Sequence, residues 1–208
     1  MIAYLKDPAA IYARSFEIIR AEADLTHLPA TAHAIATRMI HSCGMTDVVQ
    51  ELVISDDFAA TAKAALDQGK PIFVDAEMVR HGIIVRQLPQ GVEIICTLND
   101  PRARDIGVKS QITRSAAAVE LWQNQLNGAV VVIGNAPTAL FRLLELIDAG
   151  TLKPACIVGM PVGFVGAVES KAELIANPRG IAFAAIKGRR GGSAMASSVI
   201  NALTSGQP

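Results

Sequence analysis

The chain has 208 residues, 19 basic against 19 acidic, and is 51% hydrophobic but only 4% aromatic. That length suits a single domain, residues 1–208, around an aliphatic core. Neutrality excludes a polyanion binder, whose affinity needs a basic surplus, and the aromatic poverty excludes a stacking platform for single strands.

The first predicted element is a helix that Asp7 caps and Pro8 opens, with Ile11, Ile18 and Ile19 as its buried side chains. A second apolar series, Ala32, Ile35, Ala36, Met39, Ile40 and Cys43, keeps helical spacing and stops at Gly44. Then the period changes. Short aliphatic runs at 52–54, 71–74, 93–97, 129–133, 155–158 and 182–186 read as strands. Helix-length segments at 56–68, 113–125 and 137–149 lie between them, and residues 98–112 read as a long loop. Unbroken aliphatic runs alternating with helices predict an α/β fold, a mainly parallel sheet covered on both faces after a helical N-terminal region. Residues 204–208 read as a frayed tail.

The two longest uncharged stretches do not read as membrane spans of about 20 apolar residues. Residues 121–141 carry Gln123, Asn124, Gln125, Asn127, Asn135 and Pro137, and residues 154–168 are broken by Gly159, Pro161, Gly163 and Gly166. Lys6, Asp7 and Glu17 interrupt any secretory core, and Cys43, Cys96 and Cys156 read as reduced thiols of a cytoplasmic protein.

Ligands of open parallel sheets bind beyond the carboxyl ends of the strands. That places the loops 75–78, 97–114, 134–137, 159–166 and 187–193 near one edge, where polar residues and glycines collect. Among single residues, His41 stands out. It lies opposite the apolar stripe of its helix, with Arg38 one turn earlier, in a last turn whose dipole favours the imidazolium. Such a histidine suits a proton donor; the plainer reading is an exposed side chain capping helix-end carbonyls. His81 follows Glu77 by four residues but has no further ligand motif, so hydrogen bonding is the better reading than metal, and His27 and His33 join no constellation.

Two segments suit anions. Gly188-Arg-Arg-Gly-Gly-Ser193 leads into an apolar helix, with backbone N–H groups and two arginines, yet is neither a Walker loop nor a dinucleotide fingerprint. Thr113-Arg-Ser115 opens another helix with two hydroxyls and a guanidinium. Solvated arginines and a simple cap are the plainer readings. No GxSxG elbow or Ser-His-Asp set supports hydrolysis.

Long blocks of the chain resemble the precorrin-8X methylmutase family. They include Ala10-Ile-Tyr-Ala-Arg-Ser-Phe-Glu-Ile-Ile-Arg-Ala-Glu-Ala-Asp24, Arg38-Met-Ile-His-Ser-Cys-Gly44, Asp75-Ala-Glu-Met-Val79 and Thr113-Arg-Ser-Ala-Ala-Ala118. Gly134-Asn-Ala-Pro-Thr-Ala-Leu-Phe141, Gly159-Met-Pro-Val-Gly-Phe-Val-Gly166, Glu169-Ser-Lys171 and Gly188-Arg-Arg-Gly-Gly-Ser-Ala-Met195 continue the likeness nearly end to end. The resemblance implies an isomerase of cobalamin biosynthesis with an α/β/α sandwich. It moves a methyl group between adjacent carbons of ring C in precorrin-8X or cobalt-precorrin-8, giving hydrogenobyrinate or cobyrinate, with no organic cofactor. It implies a catalytic His41, substrate contacts at Ser15, Arg38, Thr113, Arg114 and Ser115, and a homodimer; Asn135 and Arg189 are expected as further substrate contacts, with no resident metal and with product passed to the next pathway enzyme. Many relatives carry Gly-Asn where this chain has Gln111-Ile112, just before Arg114. The alternatives are a tetrapyrrole carrier without turnover and, further off, a phosphate-using enzyme built on the 188–193 loop.

The neutrality also conceals a division: residues 1–77 hold 6 basic and 11 acidic groups, whereas residues 177–208 hold 4 basic and none acidic. Arg38, Arg114 and Arg189 are thus expected to clamp a compact polycarboxylate.

Overall fold

The computed structural model describes residues 2, 4–122, 125–150 and 153–205. Its centre is a six-stranded sheet in the order β1-β6-β5-β4-β2-β3. The strands are β1 (Leu52–Ile54), β2 (Ile72–Val74), β3 (Ile94–Cys96), β4 (Val130–Ile133), β5 (Cys156–Gly159) and β6 (Ala182–Ile186). Every aliphatic run of the sequence became a strand. β2, β3, β4, β5 and β6 pair in parallel, with Phe73 opposite both Ile95 and Val131.

β1 departs from that pattern and runs antiparallel to β6, Leu52 opposite Ile186. It is entered from a 3-10 turn at Thr46–Glu51 rather than from a strand-to-strand crossover helix, so nothing forces it into the parallel sense. Lys187 N–H donates to the Glu51 carbonyl and continues the pairing beyond the strand end.

Side chains of the central strands alternate between two cores, as period-2 geometry requires. Val130 and Val132 join one core with Ile35, Met39, Phe58, Leu66, Val199 and Ile200. Val131 and Ile133 join the other with Val119, Trp122, Leu140, Leu143 and Leu174. The first core belongs to the helices α1 (Pro8–Glu22), α2 (His33–Cys43), α3 (Phe58–Asp67), α4 (Glu77–Gly82) and α9 (Ser193–Thr204). On the second face lie α6 (Arg114–Glu120), α7 (Pro137–Asp148) and α8 (Ala167–Ala176), with α5 (Pro101–Ser110) packed on α6. This is the expected three-layer arrangement.

The helix ends follow local chemistry. The Asp7 carboxylate accepts from Ala10 N–H at 2.7 Å, and Gly44 takes a left-handed conformation (φ 71°) to end α2, its N–H donating to the Ile40 carbonyl. Of the three isoleucines expected inside α1, only Ile19 is buried; Ile11 and Ile18 are 46% and 40% exposed. This helix packs along a single stripe, and Phe16 takes the second buried place. The 98–112 loop is largely α5. Asp100 and Pro101 repeat the Asp-Pro start of α1, but only Ala103 and Gly107 of α5 are buried, so no apolar stripe marks it in the sequence.

Other boundaries shift less. α6 ends at Glu120, before the expected 125; Gln123 and Asn124 lie outside the described residues. α9 carries the expected tail as far as Thr204 with Ser205 as its cap, and residues 206–208 lie outside the described residues. No described helix is long and apolar enough to cross a membrane.

Candidate active site

Although His41 itself remains exposed, the polar face of α2 is partly covered. α1 lies across it, and its Tyr12, Ser15 and Phe16 recur at helical spacing and share one face. Ser15 Oγ is 2.8 Å from His41 Nδ1, the Phe16 ring stacks on the imidazole at 5.0 Å, and Tyr12 meets it edge-on at 5.4 Å. Arg38 is only 8% exposed; its guanidinium donates to the Tyr12 hydroxyl and lies over the same ring. Among the described residues it has no carboxylate partner. The structure therefore brings His41, Ser15 and Arg38 together and adds Tyr12 and Phe16, which sequence reasoning passed over. Their 12-15-16 spacing on one face of α1 was the available signal.

The helix dipole does not control His41. Burial first, and the Arg38 charge second, hold its pKa below the ordinary 6.5, so the free protein carries a neutral imidazole near pH 7. Nδ1 shares its hydrogen bond with the Ser15 hydroxyl, and Nε2 has no partner among the described residues. His41 is not a cap for helix-end carbonyls. It is a histidine fixed in orientation by a serine and two rings.

Arg38 and His41 open into a cleft of about 720 Å³ between α2, α9 and the chain after α4. Tyr12, Arg86, Gln87, Ser197, Ser198 and Asn201 also line it, and no acidic side chain does. That volume lies within the range of small-molecule sites, and its formal charges are two guanidiniums. The cleft suits an anionic ligand.

The other expected contacts lie elsewhere. Thr113 caps α6 by accepting from Ala116 N–H and bonds Thr138 across to α7 at 2.7 Å. Arg114 is exposed in the first turn of α6, with Ser115 half-buried beside it. Before them Gln111 takes the left-handed conformation (φ 55°) that ends α5. A non-glycine residue in this conformation carries a strain of about 1 kcal/mol that a glycine would avoid.

Asn135 is engaged through its backbone. β2 and β4 flank the point where the strand order reverses, and the Asp75 carboxylate fills it from within. Asp75 accepts from Gly134 N–H at 2.9 Å, Asn135 N–H at 2.9 Å and Ala136 N–H at 2.7 Å. Burial pushes the Asp75 pKa up against these three donors. Because Ala136 has no side chain to cap α7, Asp75 performs that task from the neighbouring strand.

The two arginines of the glycine-rich loop have different fates. Arg190 is neutralised by Glu51 and Asp47, each at 2.7 Å, and so is no anion ligand. Lys171, fully buried, donates from Nζ to the Arg190 carbonyl at 2.6 Å; its burial, opposed by Glu51, lowers its pKa to about 8. Gly191 fits because a Cβ would lie 2.4 Å from the Met160 carbonyl oxygen. So fastened, the loop leaves Arg189 exposed over the Phe164 ring, on the wall of an apolar cavity of about 470 Å³.

Three histidines serve the fold. His27 bonds the Val49 carbonyl, His33 the Leu28 carbonyl and His81 the Glu77 carbonyl. No cluster of three or more metal-ligating side chains exists among the described residues. Cys43, Cys96 and Cys156 are free, with burial raising Cys96 to about 11 and Cys156 to about 12.

Comparison with known proteins accords with this arrangement. A family model described as precorrin-8X methylmutase matches residues 10–205. A precorrin-8X methylmutase of Sinorhizobium sp is 53% identical over 200 residues, 96% of this chain and 95% of the relative. A cobalt-precorrin-8 methylmutase of Salmonella typhimurium is 38% identical, covering 96% of each chain. A crystal structure of precorrin-8x methyl mutase from Thermus thermophilus superposes with a TM-score of 0.85 at 32% identity, over 94% of each chain. The chain belongs to the precorrin-8X methylmutase family, isomerases of cobalamin biosynthesis.

Proposed function

We propose that His41 donates a proton to a tetrapyrrole bound in the cleft, driving a methyl shift on its ring C, while Arg38 holds one of that ring's carboxylates. The observation that carries this reading is the guanidinium of Arg38, nine-tenths buried beside His41 with only the Tyr12 hydroxyl as partner among the described residues. A buried cation without a counter-charge is costly, and a bidentate carboxylate removes that cost.

Protonation near ring C draws electron density from the conjugated system and eases migration of the methyl to the adjacent carbon. No atom is gained or lost; the proton added at the start leaves when the rearranged ring is neutralised. Much of the remaining barrier is orientation, which a rigid α1–α2 pair supplies. The whole chain acts as one domain in this reading, since both helical layers share one sheet.

Thr113, Arg114, Ser115, Asn135 and Arg189 remain proposed substrate contacts although none lines the cleft of one chain. A homodimer reconciles the two sets, because exposed Arg114 and Arg189 of one copy are free to approach a ring held by the other. The greater likeness to a relative named for precorrin-8X than to one named for the cobalt form supports the metal-free ring as substrate. Three free thiols fit a reducing cytoplasm, where the product passes to the next pathway enzyme.

The pH profile tests the proton donor. Since free His41 must be protonated to act, kcat/KM falls as pH rises through a pKa below 6.5. Arg38→Gln removes one of the two effects that depress this pKa, so the falling limb moves to higher pH. A kcat/KM that rises through this range contradicts the assignment.

A further inference from the structure

Part of the cleft's lining comes from the chain just after α4, which neither helical spacing nor the family blocks singled out. Its backbone is held firmly. Asn201 of α9 accepts from Ile84 N–H at 2.8 Å through Oδ1 and donates from Nδ2 to the Gly82 carbonyl at 2.8 Å. Gly82 lies so close to α9 that a Cβ there would sit 2.4 Å from Ser197 Oγ. The 3-10 turn Val85–Gln87 that follows is therefore mounted on the helix that lines the cleft.

Two features of this turn call for a ligand. Gln87 Oε1 is the one buried side-chain oxygen or nitrogen atom without a hydrogen-bond partner among the described residues, and Gln87 lines the cleft. Native proteins rarely leave such an acceptor unpaired. Beside it Arg86 lines the same cleft and has no ion pair among the described residues, while no acidic side chain lines the cavity to neutralise it.

Resting on the reading of this cleft as the tetrapyrrole site, we infer that the Val85–Gln87 turn is a second substrate-holding subsite. Arg86 binds a peripheral carboxylate of the ring different from the one at Arg38, and the Gln87 side chain turns on binding so that Oε1, buried and unpaired without ligand, accepts from one of the ring's N–H or O–H groups. Two guanidiniums on two separate elements fix the rotation of the ring in its plane, and so decide which pyrrole unit meets His41. Arg86 is thus a binding and specificity residue, not a proton-transfer group.

Steady-state kinetics and spectroscopic titration with the purified corrin product test this on the full chain, with Arg86→Gln, Arg86→Lys and Gln87→Leu beside the wild type. Loss of a charge-assisted pair weakens binding about tenfold to a hundredfold. Arg86→Gln raises KM and the product Kd by that factor, with a smaller fall in kcat as part of the ring binds in the wrong rotation, and Arg86→Lys recovers part of both losses. Gln87→Leu weakens product binding by a smaller factor. Unchanged KM and Kd in Arg86→Gln, or a loss confined to kcat, overturns the Arg86 assignment; unchanged affinity in Gln87→Leu overturns the role of Gln87. Wild-type protein that neither converts substrate nor binds product refutes the reading of the cleft itself, a result distinct from either.

Discussion

His41→Ala protein binds the coloured tetrapyrrole with near wild-type affinity and converts it 10²- to 10⁴-fold more slowly, about the contribution of a positioned general acid. The split between binding and turnover is the informative part. His41 lines the cleft, bonded to Ser15 and stacked on Phe16, whereas the positive charge beside it is the guanidinium of Arg38. Removing the imidazole takes away the proton but leaves the guanidinium and the Tyr12 hydroxyl that orients it. Ser15→Ala gives a milder loss, since it frees the ring to turn without deleting it. Single-turnover absorbance measurements separate the two steps. Full turnover by His41→Ala, with unchanged product, refutes the proton-donor assignment.

The second large effect concerns stability. Asp75→Ala destabilises the protein by about 3–5 kcal/mol, because it strands three N–H groups, two of them buried, and uncaps α7. For a chain of this size that lowers the melting temperature by roughly 10 °C. Asp75→Asn costs less. Its carbonyl can still accept from Asn135 and Ala136, but its amide then faces the N–H of Gly134. Thermal and urea unfolding of the two variants check this order. A loss below about 1 kcal/mol in Asp75→Ala shows that the loop finds other acceptors. Because α7 begins beside the Thr113–Thr138 contact, the same variant also loosens the helix start that carries Arg114.

The two effects mark where the sequence was legible and where it was not. All six strands were visible, since a run such as Val130–Ile133 is buried on both faces and needs no polar residue. The position of His41 followed from helical spacing around Met39 and Ile40. Its environment did not, because the spacing of α2 says nothing of which element lies over its polar face. That covering helix, α1, sets Tyr12 on Arg38 and Ser15 and Phe16 on His41, and the influence on His41 is not the expected dipole, which favours the charged ring, but desolvation and the Arg38 charge, which oppose it. α5 was missed for the opposite reason: a helix with two buried residues offers almost no periodic signal. The glycine-rich loop was recognised as special, but its pairing partners for Arg190, Glu51 and Asp47, lie some 140 positions away and only the fold unites them. Arg86 and Gln87 sit in a stretch with no helical period at all.

The carrier alternative makes a different claim about the same cleft, and both bind a polycarboxylate ring. One measurement divides them. Wild-type protein is incubated with excess metal-free precorrin-8X carrying a ¹³C-labelled methyl group on ring C, with the cobalt-containing ring in parallel, and followed by absorbance, mass spectrometry and NMR. The account predicts a spectrum that changes continuously past many equivalents, a product of unchanged mass, and the labelled methyl on the adjacent carbon. An immediate shift that stops at one equivalent, with the methyl unmoved, would contradict it.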